Sequence, residues 1–423
     1  MRIAIVGAGI VGVTTALELA EDGHEVSVFD SQASLACGTS FANAGVIAPG
    51  YVTPWAAPGM PWKVLAGLLS PHSAVRFGQR WPLALPWLWR FLRACRADTY
   101  ASHRSSLYAL AAYSRQRLDR LEADLGLDYE RSNGYLVLLR ARRELDAVRP
   151  GLGVLERLGV PHRIVDAEEC RRIEPGLSGS ARLHGGVHLP QDRVGNCRLF
   201  AQALRPRLAT LGVQLRFGEE VTHLEPGSWV RVRVRASADA ARTLEHVFDA
   251  AVVCAGVQAR ALLAPLGLRI PVLPIYGYSL TAELRTIALE TPQEPRSGLM
   301  DERYKVALTR LGSRVRVAGS AELGGHPQAM SARALATLHK VLEDWFPGCA
   351  DVATVRYWKG ARPMLPDGPP LIGRSTAPGI WLNLGHGSSG WALSCGSARA
   401  LADTLGGRAP GLDMAPFDPQ RLR

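Results

Sequence analysis

The stretch from Arg2 to Asp30 constrains this chain more than any other. Arg2-Ile-Ala-Ile-Val6 is short, apolar and rich in β-branched residues, the pattern of a strand buried on both faces. Gly7-Ala8-Gly9-Ile10-Val11-Gly12 follows at once. Val13–Glu21 then reads as a helix, Gly23 as its stop, and 24–29 as a second strand closing on Asp30 and Ser31. Each part has a mechanical task. Gly7 permits the tight turn, Gly9 lets the backbone approach a pyrophosphate, and Gly12 brings helix close to strand. The helix N-terminus offers unpaired N–H groups to the phosphates, and Asp30 is spaced to accept from ribose hydroxyls. The stretch predicts a dinucleotide site.

The motif alone does not choose between NAD and FAD. A second formal match, Gly385-His386-Gly387-Ser388-Ser389-Gly390, follows the apolar run Ile380–Leu384 and opens a helix from Trp391 to about Leu405. A second nucleotide domain would need another strand and its acid, and the chain offers neither before Arg423. The better reading aims this helix N-terminus at an electron-rich group such as the pyrimidine end of a flavin. Phe248–Cys254, with Ala255-Gly256 behind it, supplies a further buried strand and turn. One dinucleotide fold meeting a C-terminal helix describes a flavoprotein better than a nicotinamide dehydrogenase.

Composition removes other classes. Near-zero mean hydropathy and 21% charged residues exclude a disordered or multi-span membrane chain. Lys63, Lys305, Lys340 and Lys359 are the only lysines, so the 49 basic residues and the +11 charge are an arginine bias without a basic block. Nucleic acid is not an expected partner. The seven cysteines lack any CxxC pair and no HxxxH occurs beside a glutamate, so no metal site is expected and a reducing compartment is. No leader or span-length apolar run is visible, which places the protein in the cytoplasm or on the inner face of the cytoplasmic membrane.

Several further motifs carry a resemblance that covers nearly the whole chain. They are Thr39-Ser-Phe-Ala-Asn-Ala-Gly45, Pro49-Gly-Tyr51, Pro54-Trp-Ala-Ala-Pro58, Gly277-Tyr-Ser279, Asp301-Glu-Arg-Tyr304-Lys, Gly360-Ala-Arg362-Pro-Met-Leu-Pro-Asp367 and the Gly385 loop. With these the chain resembles the FAD-dependent D-amino-acid oxidase/glycine oxidase superfamily, and within it the small subunits of D-amino-acid dehydrogenases. The resemblance implies an α/β fold in which a Rossmann-type FAD domain is interleaved with a mixed-sheet α+β substrate domain. It implies hydride transfer from the α-carbon of a D-amino acid to flavin N5, hydrolysis to a 2-oxo acid and ammonia, and a quinone-type electron acceptor. Secondary amino acids of the sarcosine, proline or hydroxyproline type are the alternative substrates. A non-catalytic dinucleotide-binding adaptor is the alternative outside enzymes.

Position by position, the resemblance gives ADP binding to Gly7, Ala8, Gly9, Ile10, Val11, Gly12, Asp30 and Ser31. It lays Ser40, Asn43, Ala44 and Gly45 along the flavin, and sets Val221 against adenine. Ala255, Gly256, Gly385, His386, Gly387 and Ser388 complete the cofactor loops. Arg362 matches the arginine that grips the substrate carboxylate, and Tyr304 the tyrosine that assists it. The loop near Ser388 lacks the second arginine of glycine oxidase. No cysteine stands where sarcosine oxidases attach their flavin, so FAD is expected to be non-covalent.

Arg362 is expected just after a strand over 353–358 and, on chemistry alone, suits bidentate carboxylate binding or an ion pair with Asp367. Tyr304 reads as a substrate hydrogen-bond donor or a packing residue on an alternating strand. His386 reads as a proton carrier or a loop anchor, and Tyr51 and Tyr278 as cavity lining or core. Residues 1–52, 190–270 and 350–423 are expected to form the FAD domain, and 53–189 with 271–349 the cap, with helices expected over about 107–125 and 332–345. Within the cap, 55–96 holds Trp55, Trp62, Trp81, Trp87 and Trp89 among Lys63, Arg76, Arg80, Arg90, Arg93 and Arg96. That mixture suits a lid or a membrane-docking surface.

Overall fold

The computed structural model describes residues 1–67, 70–236, 239–285 and 293–422. Residues 68–69 of the 55–96 segment, 286–292 of the expected cap and the Lys63 side chain lie outside the described residues.

A six-stranded sheet is built around Arg2–Val6. Glu25–Asp30 and Ala250–Val253 flank it in parallel, Gln214–Phe217 extends one side, and Ile380–Leu384 the other. Leu371–Arg374 closes the sheet antiparallel. The central strand reads as a near-continuous apolar run because helices cover both faces of such sheets. The helix Ile10–Glu21 follows the glycine turn and packs on the C-terminal helix Gly390–Leu405. Thr14 Oγ1 donates to Ser394 O at 3.2 Å, and Asn383 Nδ2 to Thr15 Oγ1 at 2.9 Å, so the two ends of the polypeptide are bonded together. The long helix Ala97–Leu125 also packs on Gly390–Leu405 and ends at Gly126 in the left-handed conformation.

The second body is a ten-stranded mixed sheet. Its order begins Arg356–Met364, Leu273–Glu283, Arg314–Leu323, Val306–Leu311, Gly298–Asp301, and continues through Ser132–Leu139 and Gly185–Val194 to Val46–Ile47. One face buries Tyr278, Leu280, Leu308 and Val317 under the helix Ala332–Trp345. The other carries Gly277 and Ser279, because strand residues alternate between faces. A three-stranded antiparallel ribbon, Glu219–Glu225, Val230–Ala236 and Asp239–Phe248, completes the fold.

Three local expectations differ. The strand expected over 248–254 breaks at Asp249, whose N–H donates to Arg2 O and whose carboxylate accepts from Arg2 N–H; the halves join different sheets. The strand expected to start at Tyr304 starts at Val306, because the Asp301 carboxylate captures the Tyr304 N–H at 3.0 Å and holds a turn. Arg362, expected after a strand over 353–358, lies inside Arg356–Met364, and Pro363 is tolerated there because the strand is at the sheet edge.

Candidate active site

Parallel strands deliver their turns to one edge. Gly7–Gly12, Asp30 with Ser31, Ala255–Gly256 and Gly385–Ser388 all follow the carboxyl ends of adjacent strands, where open α/β sheets bind ligands. Gly7 has φ +106°, and a Cβ on Gly12 would stand 1.8 Å from the Gly7 carbonyl oxygen. Glycine alone closes this turn. Ile10 N–H donates to Ser40 Oγ at 3.0 Å, which sets Ser40 at the helix N-terminus. Asp30 Oδ2 accepts from Ala8 N–H at 2.6 Å and Oδ1 from Gln32 N–H at 2.8 Å, so the carboxylate is fixed beside the glycine turn. Val11 is partly buried on the first helical turn, and Val221 packs on the apolar cluster that contains Phe29. A helix N-terminus, a glycine cradle and an oriented acid are what a dinucleotide needs, so the residues fit FAD.

The segment from Thr39 to Gly45 lies across the large sheet. Ser279 Oγ donates to Ala42 O (2.8 Å), Arg316 Nη1 to Asn43 O (3.2 Å) and Thr309 Oγ1 to Ala44 O (2.7 Å). Thr39 Oγ1 donates to Ala361 O at 2.8 Å. Gly45 N–H donates to Asn43 Oδ1, and Gly45 has φ +72°, close against Gly195. Sequence reasoning missed Ser279, Thr309 and Arg316 in this role. Strand alternation puts them on one face, but no motif says what lies upon it.

Arg362 occupies the same sheet face. Its guanidinium covers Gly277, where a Cβ would meet Nη2 at 2.3 Å. Nη1 donates to Ser320 O at 2.8 Å. Ser320 has φ +59° at the break in register between Tyr276 and Tyr278, so a bulge aims its carbonyl. Asp367 is taken by Arg421, whose Nε lies 3.2 Å from Oδ2, and the expected alternative pair with Arg362 does not form. Burial without a carboxylate pushes the Arg362 pKa down to about 10. The group stays charged at neutral pH, with one backbone acceptor and spare donors.

The second glycine turn adjoins the end of this strand. His386 pairs through its backbone with Met364, and its Nε2 lies 3.0 Å from Ser397 Oγ. Burial lowers its pKa to about 3, and the Ser397 contact ties the ring to the C-terminal helix. Gly385 (φ +83°) and Gly387 (φ +57°) let Leu365 and Met364 approach. Ser388 Oγ accepts from Trp55 Nε1 at 3.1 Å, and the Trp55 ring lies 5.8 Å from Arg362 Cζ.

The three tyrosines lie away from Arg362, Tyr304 and Tyr278 taking the packing and core alternatives. Tyr304 packs on the helix-covered face, with Arg140 Cζ 5.1 Å above its ring, because Asp301 turns the chain there. Tyr278 is buried on that same face and donates to Glu322. It is core. Tyr51 donates to Glu302 Oε2 at 3.1 Å and packs 5.6 Å from the Tyr135 ring, and burial raises its pKa. The site therefore brings together Arg362, Gly277, Trp55, the 39–45 segment and the 385–388 loop.

Comparison with known proteins agrees with this geometry. Residues 2–404 match the family model of the DAO type, described as FAD dependent oxidoreductase. The chain is similar over its full length to D-amino acid dehydrogenases of Cereibacter sphaeroides (42% identity, 95% of that protein) and Bradyrhizobium diazoefficiens (40%, 99%). Its fold resembles the crystal structure of glycine oxidase from Geobacillus kaustophilus, with TM-score 0.75, 21% identity and 99% of each chain covered. With its nucleotide edge, its two glycine turns and its full-length match, the chain belongs to the DAO family of FAD-dependent oxidoreductases.

Proposed function

We propose that this enzyme oxidises D-amino acids to 2-oxo acids and ammonia. The observation that carries the proposal is Arg362, a guanidinium that pairs with no carboxylate among the described residues, on the sheet face that holds the 39–45 segment. Its planar fork binds a substrate carboxylate through parallel hydrogen bonds and so fixes the orientation of the α-carbon. Bound FAD, held non-covalently, supplies the acceptor for the α-hydrogen and its electron pair. The amine loses one proton to water, and the imino acid so formed takes up water and releases ammonia. His386, neutral and bonded to Ser397, holds the loop rather than the proton. In this reading 1–52, 190–270 and 350–423 form the cofactor domain and 53–189 with 271–349 the cap, while the strand Arg356–Met364 carries Arg362 across to the cap sheet.

The electrons pass onward to a quinone-type acceptor at a membrane surface. No helix among the described residues is long and apolar enough to cross a membrane. Yet Trp62 (75% exposed), Leu83 (77%) and Trp89 (58%) face solvent. Leu85, Trp89 and Leu92 share one side of the helix Leu85–Ala94, and Arg93 lies over Trp89. Apolar side chains beside cations suit a headgroup layer.

The test is anaerobic bleaching of the flavin band in the purified enzyme. D-alanine should bleach it, and L-alanine should not. Bleaching by sarcosine or proline alone would replace the substrate class, and no bleaching by any amine would end the proposal.

A further inference from the structure

We infer that Trp55 is a positioning residue of the substrate site, holding the Arg362 fork in the orientation that receives a carboxylate. The inference rests on the carboxylate role proposed for Arg362. Three contacts of one indole carry it. Its ring is within cation–π range of Arg362 Cζ at 5.8 Å. Its Nε1–H donates to Ser388 Oγ at 3.1 Å, which ties it to the 385–388 loop. Its apolar edge packs on the cluster of Trp87, Ile275, Leu323 and Met364.

Arg362 needs such a wall. A guanidinium has five N–H donors in a fixed plane, and among the described residues Ser320 O is its one hydrogen-bond acceptor. One hydrogen bond leaves the plane free to rotate about the Nη1 contact. Gly277 supplies a floor without a side chain, and Trp55 restricts the group from another direction. The remaining donors are then presented as a fork. Trp55 is itself fixed at both ends. Trp87 Nε1 donates to Met364 O at 3.1 Å and anchors the cluster beneath it, and Ser388 holds the pyrrole edge. The indole is thus a strut between the glycine loop and the carboxylate arginine.

The test uses FAD-loaded enzyme and propionate, a carboxylate with no amine to oxidise, titrated through its perturbation of the flavin spectrum. Trp55→Leu keeps apolar bulk on the cluster but loses the ring and its N–H. It should weaken propionate binding and raise the KM for D-alanine roughly tenfold, with a much smaller change in kcat. Trp55→Phe, which restores a ring face, should recover most of the loss, and Ser388→Ala, which cuts only the tether, should fall between. FAD content, read from the ratio of visible to ultraviolet absorbance, identifies any variant that fails to load. Arg362→Ala is the control. If it weakens propionate binding and Trp55→Leu does not, the role given to Trp55 is overturned while the carboxylate reading stands. If neither variant changes propionate binding, the carboxylate reading itself falls. A loss confined to kcat would also overturn the inference.

Discussion

Arg421 Nε stands 3.2 Å from Asp367 Oδ2, and among the described residues no carboxylate pairs with Arg362. Arg421 also donates to the carbonyls of Pro369 and Pro370, so the acid is committed to anchoring the C-terminal residues. A half-buried cation left unpaired costs stability, which supports the carboxylate-binding role proposed for Arg362.

Arg362→Ala should therefore keep its FAD and lose catalysis. Two charge-assisted hydrogen bonds are removed, about 3 kcal/mol, so kcat/KM for D-alanine should fall by roughly a hundredfold. Steady-state kinetics beside the visible spectrum checks this, and normal turnover would refute it.

Gly277→Ala makes the same argument from the opposite side. Its methyl group would lie 2.3 Å from Arg362 Nη2 and must displace the guanidinium. KM should rise more than tenfold with little change in flavin content. An unchanged KM would mean that the arginine need not lie flat on the strand.

Much of this was legible locally, and the limits are instructive. The course of strand, glycine turn, helix and strand up to Asp30 is legible in sequence because two contacts that close the turn, Gly12 against the Gly7 carbonyl and Ala8 N–H to Asp30, lie within that unit. The helix Ala332–Trp345 is legible for the same reason: its apolar period is its own. Tyr304 misleads because a neighbouring side chain, Asp301, outcompetes the strand for its N–H. Trp55 was legible within the Pro54–Pro58 motif and as one of several tryptophans in an arginine-rich segment, but not as a neighbour of Arg362. Its partners Ser388 and Arg362 belong to the far end of the chain, and no spacing rule connects them.

Asp192 predicts a pH dependence of stability. Burial raises its pKa from 3.8 to about 7, outweighing a hydrogen bond from the Gly50 backbone. The folded state holds this proton more tightly than the unfolded chain. Its stabilising contribution is complete below pH 3.8 and is lost as pH rises through about 7. Asp192→Asn should raise stability at pH 8 by up to about 4 kcal/mol and leave it nearly unchanged at pH 4. Thermal unfolding of the holoenzyme at the two pH values measures the difference.

His386 has the reverse sign. Its pKa falls to about 3, so the stability it contributes is full above pH 6.5 and is lost on acidification toward 3. Because it stays neutral through the working range, His386→Gln should weaken flavin retention without moving the midpoint of the acidic limb of kcat/KM. A shifted midpoint would make it a proton carrier after all.

The exposed tryptophans test the docking surface. A variant carrying Trp62→Ser, Trp81→Ser and Trp89→Ser should sediment less with vesicles of mixed neutral and anionic lipid, while D-alanine still bleaches its flavin. Undiminished sedimentation would leave these residues as the outer face of a lid.

The bonding of the Ile10–Glu21 helix to Gly390–Leu405 has a consequence for biosynthesis. The cradle joins the turn that follows Arg2–Val6 to the turn that precedes Gly390–Leu405, two pieces separated by most of the sequence. During synthesis the cleft is therefore complete only once Gly390–Leu405 has emerged, and a cradle made of both pieces waits for that helix.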